Sequence, residues 1–492
     1  MKEKNRFSTL LKHLMTVTKL KNYTLAKELQ YDESYISKWA NGSLLPTEKN
    51  SEKTLREISR CLVASMDAAS RAVLYSEFQV ENDADLERRI FSSLVAEFNY
   101  VMDLKESTGA DTAPKTAFYP ELTLSQFTQK IRYPALRQAK SLDFIFSADI
   151  LSLDWHYQLS MAELESSQNV DTTNKSYPNT HFSMLVNLDA AAENNTHNVE
   201  FLLNFLTSFS NADMQFYTCP QMVGKVIMVA KDLYSISGMV IDDGHLLGVT
   251  STEDPKSCNA IYDRLFSLCN QQTLAVRRTI MSDMLQSNEY VEYLFSRNQR
   301  WLLGHLTEQF LPDELYESLV NQYCKSHLEV DPDNLARIHK LNKSVRKSMD
   351  IQIMIHEKAI TDFAATGIID FYNFKMELTP QQRLQCLSYC LELFEKNKKL
   401  RVRLTRNGTV SDFQHIPHST LFLSDSFCYM RLVRNGPVNN LSILNKVQLS
   451  DMFRKFYDDI WDRGEYTRLD SHCVEDLLCY AIQLVNVQLQ VK

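Results

Sequence analysis

The sequence predicts a multidomain α+β protein: an all-α N-terminal module, a helical connector, and a larger mixed α/β region containing an internal duplication. Three observations carry that expectation. At 492 residues the chain exceeds what one hydrophobic core accommodates. Apolar residues recur at three- and four-residue spacing through the first hundred positions. Beyond residue 107, short apolar runs suited to strands are interspersed with helical segments, and the order of these elements is followed twice. Hydrophobic residues at 44% and charged residues at 23% are ordinary for a soluble globular chain.

Phe7, Leu10, Leu11, Leu14 and Met15 mark a first helix, with Lys12 and Lys19 off its apolar stripe. The stretch Tyr23–Pro46, YTLAKELQYDESYISKWANGSLLP, then reads as two short helices joined by a tight turn. Thr24 is a suitable N-cap for the first, and Leu25, Ala26 and Leu29 give it an apolar face. Tyr31 and Asp32 form the turn, and Asp32 caps a second helix running from Glu33 to Asn41. Ile36, Trp39 and Ala40 face inward at helical spacing, which leaves Glu33, Ser34, Tyr35, Ser37 and Lys38 outward. Asn41–Gly42 ends the helix, because glycine adopts the left-handed cap without penalty. Leu55, Ile58, Leu62 and Val63 supply a further helix. Phe7, Leu11, Leu25, Leu29, Ile36, Trp39 and Ile58 form the expected core of a module over residues 1–65.

A short helix presenting hydroxyls, a phenol and an ammonium suits a DNA major groove. Glu33, Ser34, Tyr35, Ser37 and Lys38 are the candidate base-reading residues. Thr24, Lys27, Asn41 and Ser43 are placed to hold phosphates, fixing register without reading sequence. The pattern resembles the Xre/Cro-repressor family of helix-turn-helix proteins through Leu25-Ala26, then Tyr35-Ile36-Ser37-Lys38-Trp39, Asn41-Gly42 and Pro46. The chain departs from that family at Ala40, where glutamate is usual, and at Asn22, where glutamine is common. The resemblance covers about an eighth of the chain and implies a homodimer on a double-stranded DNA operator. A plain helical hairpin is the alternative reading of the same residues. Charge favours DNA. Residues 1–60 hold 12 Lys/Arg against 7 Asp/Glu, or +5, so the rest, with 41 against 54, carries −13 of the net −8.

Residues 66–106 read as a helical connector whose face of Leu74, Phe78, Leu86, Ile90, Leu94 and Phe98 is a candidate dimer surface. STGADTAP, 107–114, marks a boundary. A first α/β half is expected over 107–272, with a short helix at Leu124–Arg132 and a strand at Leu142–Ile150. A helical linker over 273–345 follows, with Phe295, Trp301, Leu302 and Phe310 buried, and a second half over 346–492. One copy of the duplication runs from the strand at 181–189 through the helix at 259–269. The other runs from the strand at 350–360 through the helix at 449–461, and a last helix covers 470–490. Two such halves facing each other across a pseudo-dyad would form a cleft. Their element order is similar to the paired halves of the phospholipase-D-like fold. That chemistry needs His and Lys in both halves. Here His356 and Lys358 begin the pattern, Asp362 falls one residue early, and the other half lacks the pair.

Other chemistry finds little support. Ten cysteines lack CxxC pairs, no run reaches about 20 apolar residues, and no secretory signal is evident, so a reduced, cytoplasmic protein without a membrane partner is expected. With 11 glycines there is no phosphate-cradling loop. No metal, cofactor or catalytic set is expected. Asp242-Asp243-Gly244-His245 reads as a hairpin turn, and His415 and His418 as surface residues. Cys386 and Cys390 read as packing, and Lys396, Lys398, Lys399, Arg401, Arg403 and Arg406 as a solvated basic edge, with a second nucleic-acid contact or an anionic-ligand site as the alternative. The expected function is sequence-specific transcriptional regulation by a non-enzymatic homodimer. Its large C-terminal region would sense an unidentified small molecule or peptide, or mediate assembly. The alternatives are a peptide-pheromone-responsive regulator with C-terminal helical repeats, and an effector or enzyme carrying a helix-turn-helix.

Overall fold

The computed structural model describes residues 5–47, 50–78, 82–107, 116–123, 126–127, 130, 141–152, 179–189, 195–208, 213–242, 244–405, 420–431, 440–462, 467–468 and 471–490. His415, His418, Arg406, Asp243 and most of the expected helix at Leu124–Arg132 lie outside these residues.

Six helices form the N-terminal module: α1 (Arg6–Val17), α2 (Asn22–Leu29), α3 (Glu33–Asn41), α4 (Ser51–Ala64), α5 (Ala68–Phe78) and α6 (Asp83–Ser107). Phe7, Leu11, Leu25, Leu29, Ile36, Trp39 and Ile58 are buried together, as their spacing predicts. The same core takes in Leu74, Phe78, Leu86, Ile90, Leu94 and Phe98. The face expected to be a dimer surface is therefore internal to the module. Helices α5 and α6 extend the core of the four short helices into a larger one. Arg6 and Glu97 meet at 2.9 Å and tie α1 to α6.

Among the described residues, the remainder is built on one 15-stranded sheet. Its first elements are β1 (Thr116–Thr123), β2 (Ser141–Ala148), β3 (Asn179–Val186), α7 (Asn195–Ser208), β4 (Asp213–Thr218), β5 (Lys225–Ala230), β6 (Tyr234–Asp242), β7 (His245–Thr252) and α8 (Pro255–Phe266). Asp242 pairs with His245 across the hairpin turn. Next come β8 (Leu274–Ile280), α9 (Met281–Gln286), α10 (Glu289–Phe295), β9 (Gln299–Leu303), α11 (Asp313–Ser326), α12 (Pro332–Ser348), β10 (Ile351–His356) and α13 (Glu357–Thr366). A separate hairpin, β11 (Ile368–Phe371) and β12 (Phe374–Glu377), precedes α14 (Pro380–Lys396) and β13 (Leu400–Thr405). The chain ends with β14 (Thr420–Leu423), β15 (Tyr429–Arg431), β16 (Asn440–Leu444), α15 (Val447–Asp462), β17 (Thr467–Arg468) and α16 (Ser471–Gln490).

Across the sheet the order is β1-β7-β6-β5-β2-β3-β4, then β8-β16-β15-β14-β9-β10-β13, then β17. The two runs follow one order: three parallel strands flanked by antiparallel ones. They join where β8 pairs antiparallel with β4 on one side and β16 on the other. The order is kept, not reversed, while strand direction inverts from one run to the next. The halves thus lie head to tail in a continuous sheet. The expected pair facing across a dyad, with a cleft between, is not what forms.

The expected helical linker over 273–345 is also corrected, since it contributes β8 and β9 to the sheet. Trp301, Leu302 and Phe310 are buried, but Phe295 is exposed. Along β9, Leu302 faces one layer and Trp301 and Leu303 the other, the period of two of a strand buried on both sides. On one face α7 and α15 cover Phe146, Met184, Leu302, Met354 and Leu421. On the other, α8 covers Ile145, Leu185 and Val229 of the first run. Helices α11–α14 and α16 cover Trp301, Ile353 and Ile355 of the second. Among the described residues, no helix is long and apolar enough to cross a membrane.

Candidate nucleic-acid interface

Helix α3 is defined at both ends by the residues its sequence suggests. The Asp32 carboxylate accepts the Ser34 N–H at 2.9 Å, filling a free donor of the first turn. Ser34 and Lys38 hold the Asp32 carboxyl below the ordinary aspartate range, with the Ser34 hydrogen bonds first. At the other end Gly42 adopts φ +80°, and its N–H closes the helix onto Trp39. A Cβ there would sit 2.9 Å from the Ser8 hydroxyl, so the close approach of α1 also demands glycine. Asn5 bridges the two helices. Its amide Nδ2 donates to the Gly42 carbonyl at 3.1 Å while its Oδ1 accepts from Ser8 N–H.

Ile36 and Trp39 anchor α3 in the core, and Glu33, Ser34, Tyr35 and Lys38 are exposed. Ser37 is half-buried, at the edge of that face. Tyr35 is 44% exposed and lies edge-on to Tyr31, with the Lys38 ammonium 5.7 Å from its ring. Tyr31 in turn meets Trp39 edge-on at 5.1 Å, so an aromatic ladder connects the exposed phenol to the core.

Thr24 and Lys27 are exposed on α2, beside this face in sequence. Thr24 is not the N-cap. The helix begins at Asn22, with Lys21 at the cap position and no capping side chain. Asn41 and Ser43 are exposed, but partly engaged with each other: Ser43 N–H donates to Asn41 Oδ1 at 3.0 Å, and its hydroxyl reaches the Lys38 carbonyl at 3.4 Å.

A second polar constellation, missed in the sequence, lies buried in the second run of the sheet. Arg431 on β15 makes a two-pronged ion pair with Glu308, both contacts at 2.8 Å. Asp370 on β11 approaches the same guanidinium at 3.6 Å. Glu308 also accepts from the Tyr290 hydroxyl at 2.8 Å and from Tyr372 N–H at 3.2 Å. Tyr372 sits at φ +51° in the β11–β12 turn, a strained conformation fixed by that hydrogen bond and by its hydroxyl contact with Tyr316 at 2.8 Å. The Arg431 guanidinium lies 4.7 Å from the Phe422 ring.

Burial pushes the Glu308 carboxyl up, but Arg431 together with the hydrogen bonds from the Tyr290 hydroxyl and Tyr372 N–H holds the group below the ordinary glutamate range. At Asp370 burial dominates. Arg431 opposes it, Glu308 adds to it, and the carboxyl is raised to about 7. One guanidinium thus serves two carboxylates unequally. Two signals for this cluster exist in sequence: an arginine inside the apolar run Phe427–Val433 and an aspartate inside Ile368–Tyr372.

His356 ends β10, and Lys358 and Asp362 lie on α13, so the residues that begin a phospholipase-like pattern occupy a strand end and a separate helix. Cys386 and Cys390 are buried, within sulfur hydrogen-bond reach of the Phe310 carbonyl. Compared with known proteins, the chain matches no family model and no curated protein.

Proposed function

We propose that the chain is a sequence-specific DNA-binding transcriptional regulator of the Xre/Cro type, acting in the cytoplasm as a homodimer. Its N-terminal helices α2 and α3 form a helix-turn-helix, and its sheet region, an internal duplication, serves signal sensing or assembly rather than catalysis. The observation that carries this is the outward face of α3. Ser34, Tyr35 and Lys38 are exposed together on a helix fixed by Asp32 and Gly42 and anchored by Ile36 and Trp39. Preorganised polar side chains on a short rigid helix are what a groove reader requires. The +5 charge of residues 1–60 supports the same reading.

Selection of bound sequences from a random DNA pool, followed by footprinting, tests it. Lys38→Ala and Tyr35→Ala should each cost roughly 1–3 kcal/mol on the selected sequence and little on random DNA. Unchanged footprints would remove α3 from the interface. The helical-repeat alternative loses ground to the 15-stranded sheet.

A further inference from the structure

We infer that the open face of β1, β7, β6 and β5 docks a second copy of this chain in a two-fold dimer.

Four residues lie directly opposite one another on adjacent strands. Glu121 pairs with Leu247, Leu247 with Met239, and Met239 with Lys225. Directly opposed residues share a face, so the row reads acid, leucine, methionine, base across about 14 Å of sheet. All four are exposed, Leu247 at 37% and Met239 at 57%. Ile241, two residues beyond Met239, is 56% exposed. Phe118, in the neighbouring row through Thr250, Ser237 and Ile227, is 65% exposed. Tyr119 and Leu122 both pack on the core side, so β1 changes phase at Pro120 and leaves Phe118 and Glu121 on the same outer face. Four large apolar side chains on one sheet face form a patch of the kind that marks an interaction site.

The rest of the sheet shows what such a face ordinarily buries. In the second run the matching face of β14, β15 and β16 places Leu421, Met430 and Leu444 under α15, and α15 is itself packed by α7 of the first run. On the first run α8 covers the β2–β5 side through Cys258, Tyr262 and Leu265. It leaves the Glu121–Lys225 row open.

The occupant follows from the row's charge order. A two-fold axis parallel to the strands, between β7 and β6, lays the row on its own reverse. Leu247 then meets the partner subunit's Met239, and Glu121 meets the partner subunit's Lys225. A surface complementary to itself under a two-fold is what a closed dimer needs. Pro120 beside the row lacks an N–H and blunts the β1 edge, so the contact is face to face and not strand addition. Eight residues, 108–115, link α6 to β1, and the nine steps from Ser107 to Thr116 reach at most about 32 Å. The interface would therefore hold two N-terminal modules beside one dyad. That consequence rests on the dimeric reading above, whereas the surface itself is tested without DNA.

Sedimentation of the full chain, with thermal unfolding as a fold control, decides the matter. The wild type is expected to be dimeric, and Met239→Glu with Leu247→Glu should raise the dimer dissociation constant at least tenfold. Glu121→Lys and Lys225→Glu should each weaken the dimer, and the two together should restore it. A wild type at the monomer mass across the concentration range overturns the inference. So does a dimer indifferent to the Met239 and Leu247 changes, or a charge swap that fails to restore. Loss of DNA binding with the dimer intact and sensitive to these variants would sink the DNA reading and leave this surface standing.

Discussion

Asn5 holds the end of α3 from the start of α1: its amide donates to the Gly42 carbonyl at 3.1 Å. The orientation of the outward face of α3 is thereby set by a residue 37 positions earlier. Gly42→Ala tests the contact. An L-residue at φ +80° costs about 1–2 kcal/mol, and its Cβ would press on Ser8. The expected outcome is a module destabilised by at least that amount in urea denaturation. Asn5→Ala should give a smaller loss, of about 1 kcal/mol, through the missing α1 cap.

Among the described residues, the core of the N-terminal module draws on side chains from Phe7 to Met102. A fragment of residues 1–107 should therefore unfold cooperatively by itself. A fragment of residues 1–65 should show a broad, low-temperature transition in circular dichroism, because Leu86, Ile90, Leu94 and Phe98 are gone. Equal melting of the two fragments would contradict the shared core.

Within α3, Asp32 and Gly42 were legible because capping is local chemistry, set by neighbours within four residues. The burial of Leu74 and Leu94 was legible as periodicity, but not which surface they bury against. Strand β8 was missed because Arg277 and Arg278 interrupt its apolar run; Arg277 there pairs with Glu289. The sheet's head-to-tail order depends on β4 meeting β8, a pairing between residues about 60 apart that no local pattern specifies. Glu308 and Arg431 are 123 residues apart, and neither predicts the other.

Lys27 separates positioning from reading. It is exposed on α2 and not on α3, so Lys27→Ala should weaken binding uniformly across DNA sequences. The slope of log affinity against log salt should fall by about 1, whereas Tyr35→Ala should leave that slope unchanged. A changed sequence preference in the Lys27 variant would reassign it to the bases.

Arg431→Met removes the cation from two buried carboxylates. Breaking a buried pair on one side costs about 3–5 kcal/mol, because the remaining charge has no water to replace its partner. The urea midpoint of the sheet region should drop accordingly. Adding Glu308→Leu and Asp370→Asn should recover part of the loss, since the stranded charges are then gone. No recovery would mean that Arg431 acts through its packing on Phe422 instead.

Asp370 gives the protein a pH dependence of definite sign. Its folded carboxyl is raised to about 7, against about 4 in an unfolded chain. Between those values the folded state keeps a proton that the unfolded state has released. Stability contributed by this group is therefore greatest below about pH 4 and declines as pH rises to about 7, then levels off. Glu308, held low by Arg431, works in the opposite direction, but only at acid pH through its own lowered range. Asp370→Asn keeps the shape and removes the titration. Unfolding free energy of the variant should lack the decline between pH 4 and 7. Its gap from wild type should change steadily across that window and stay constant outside it. Parallel curves for the two proteins would place the Asp370 proton outside the folding equilibrium.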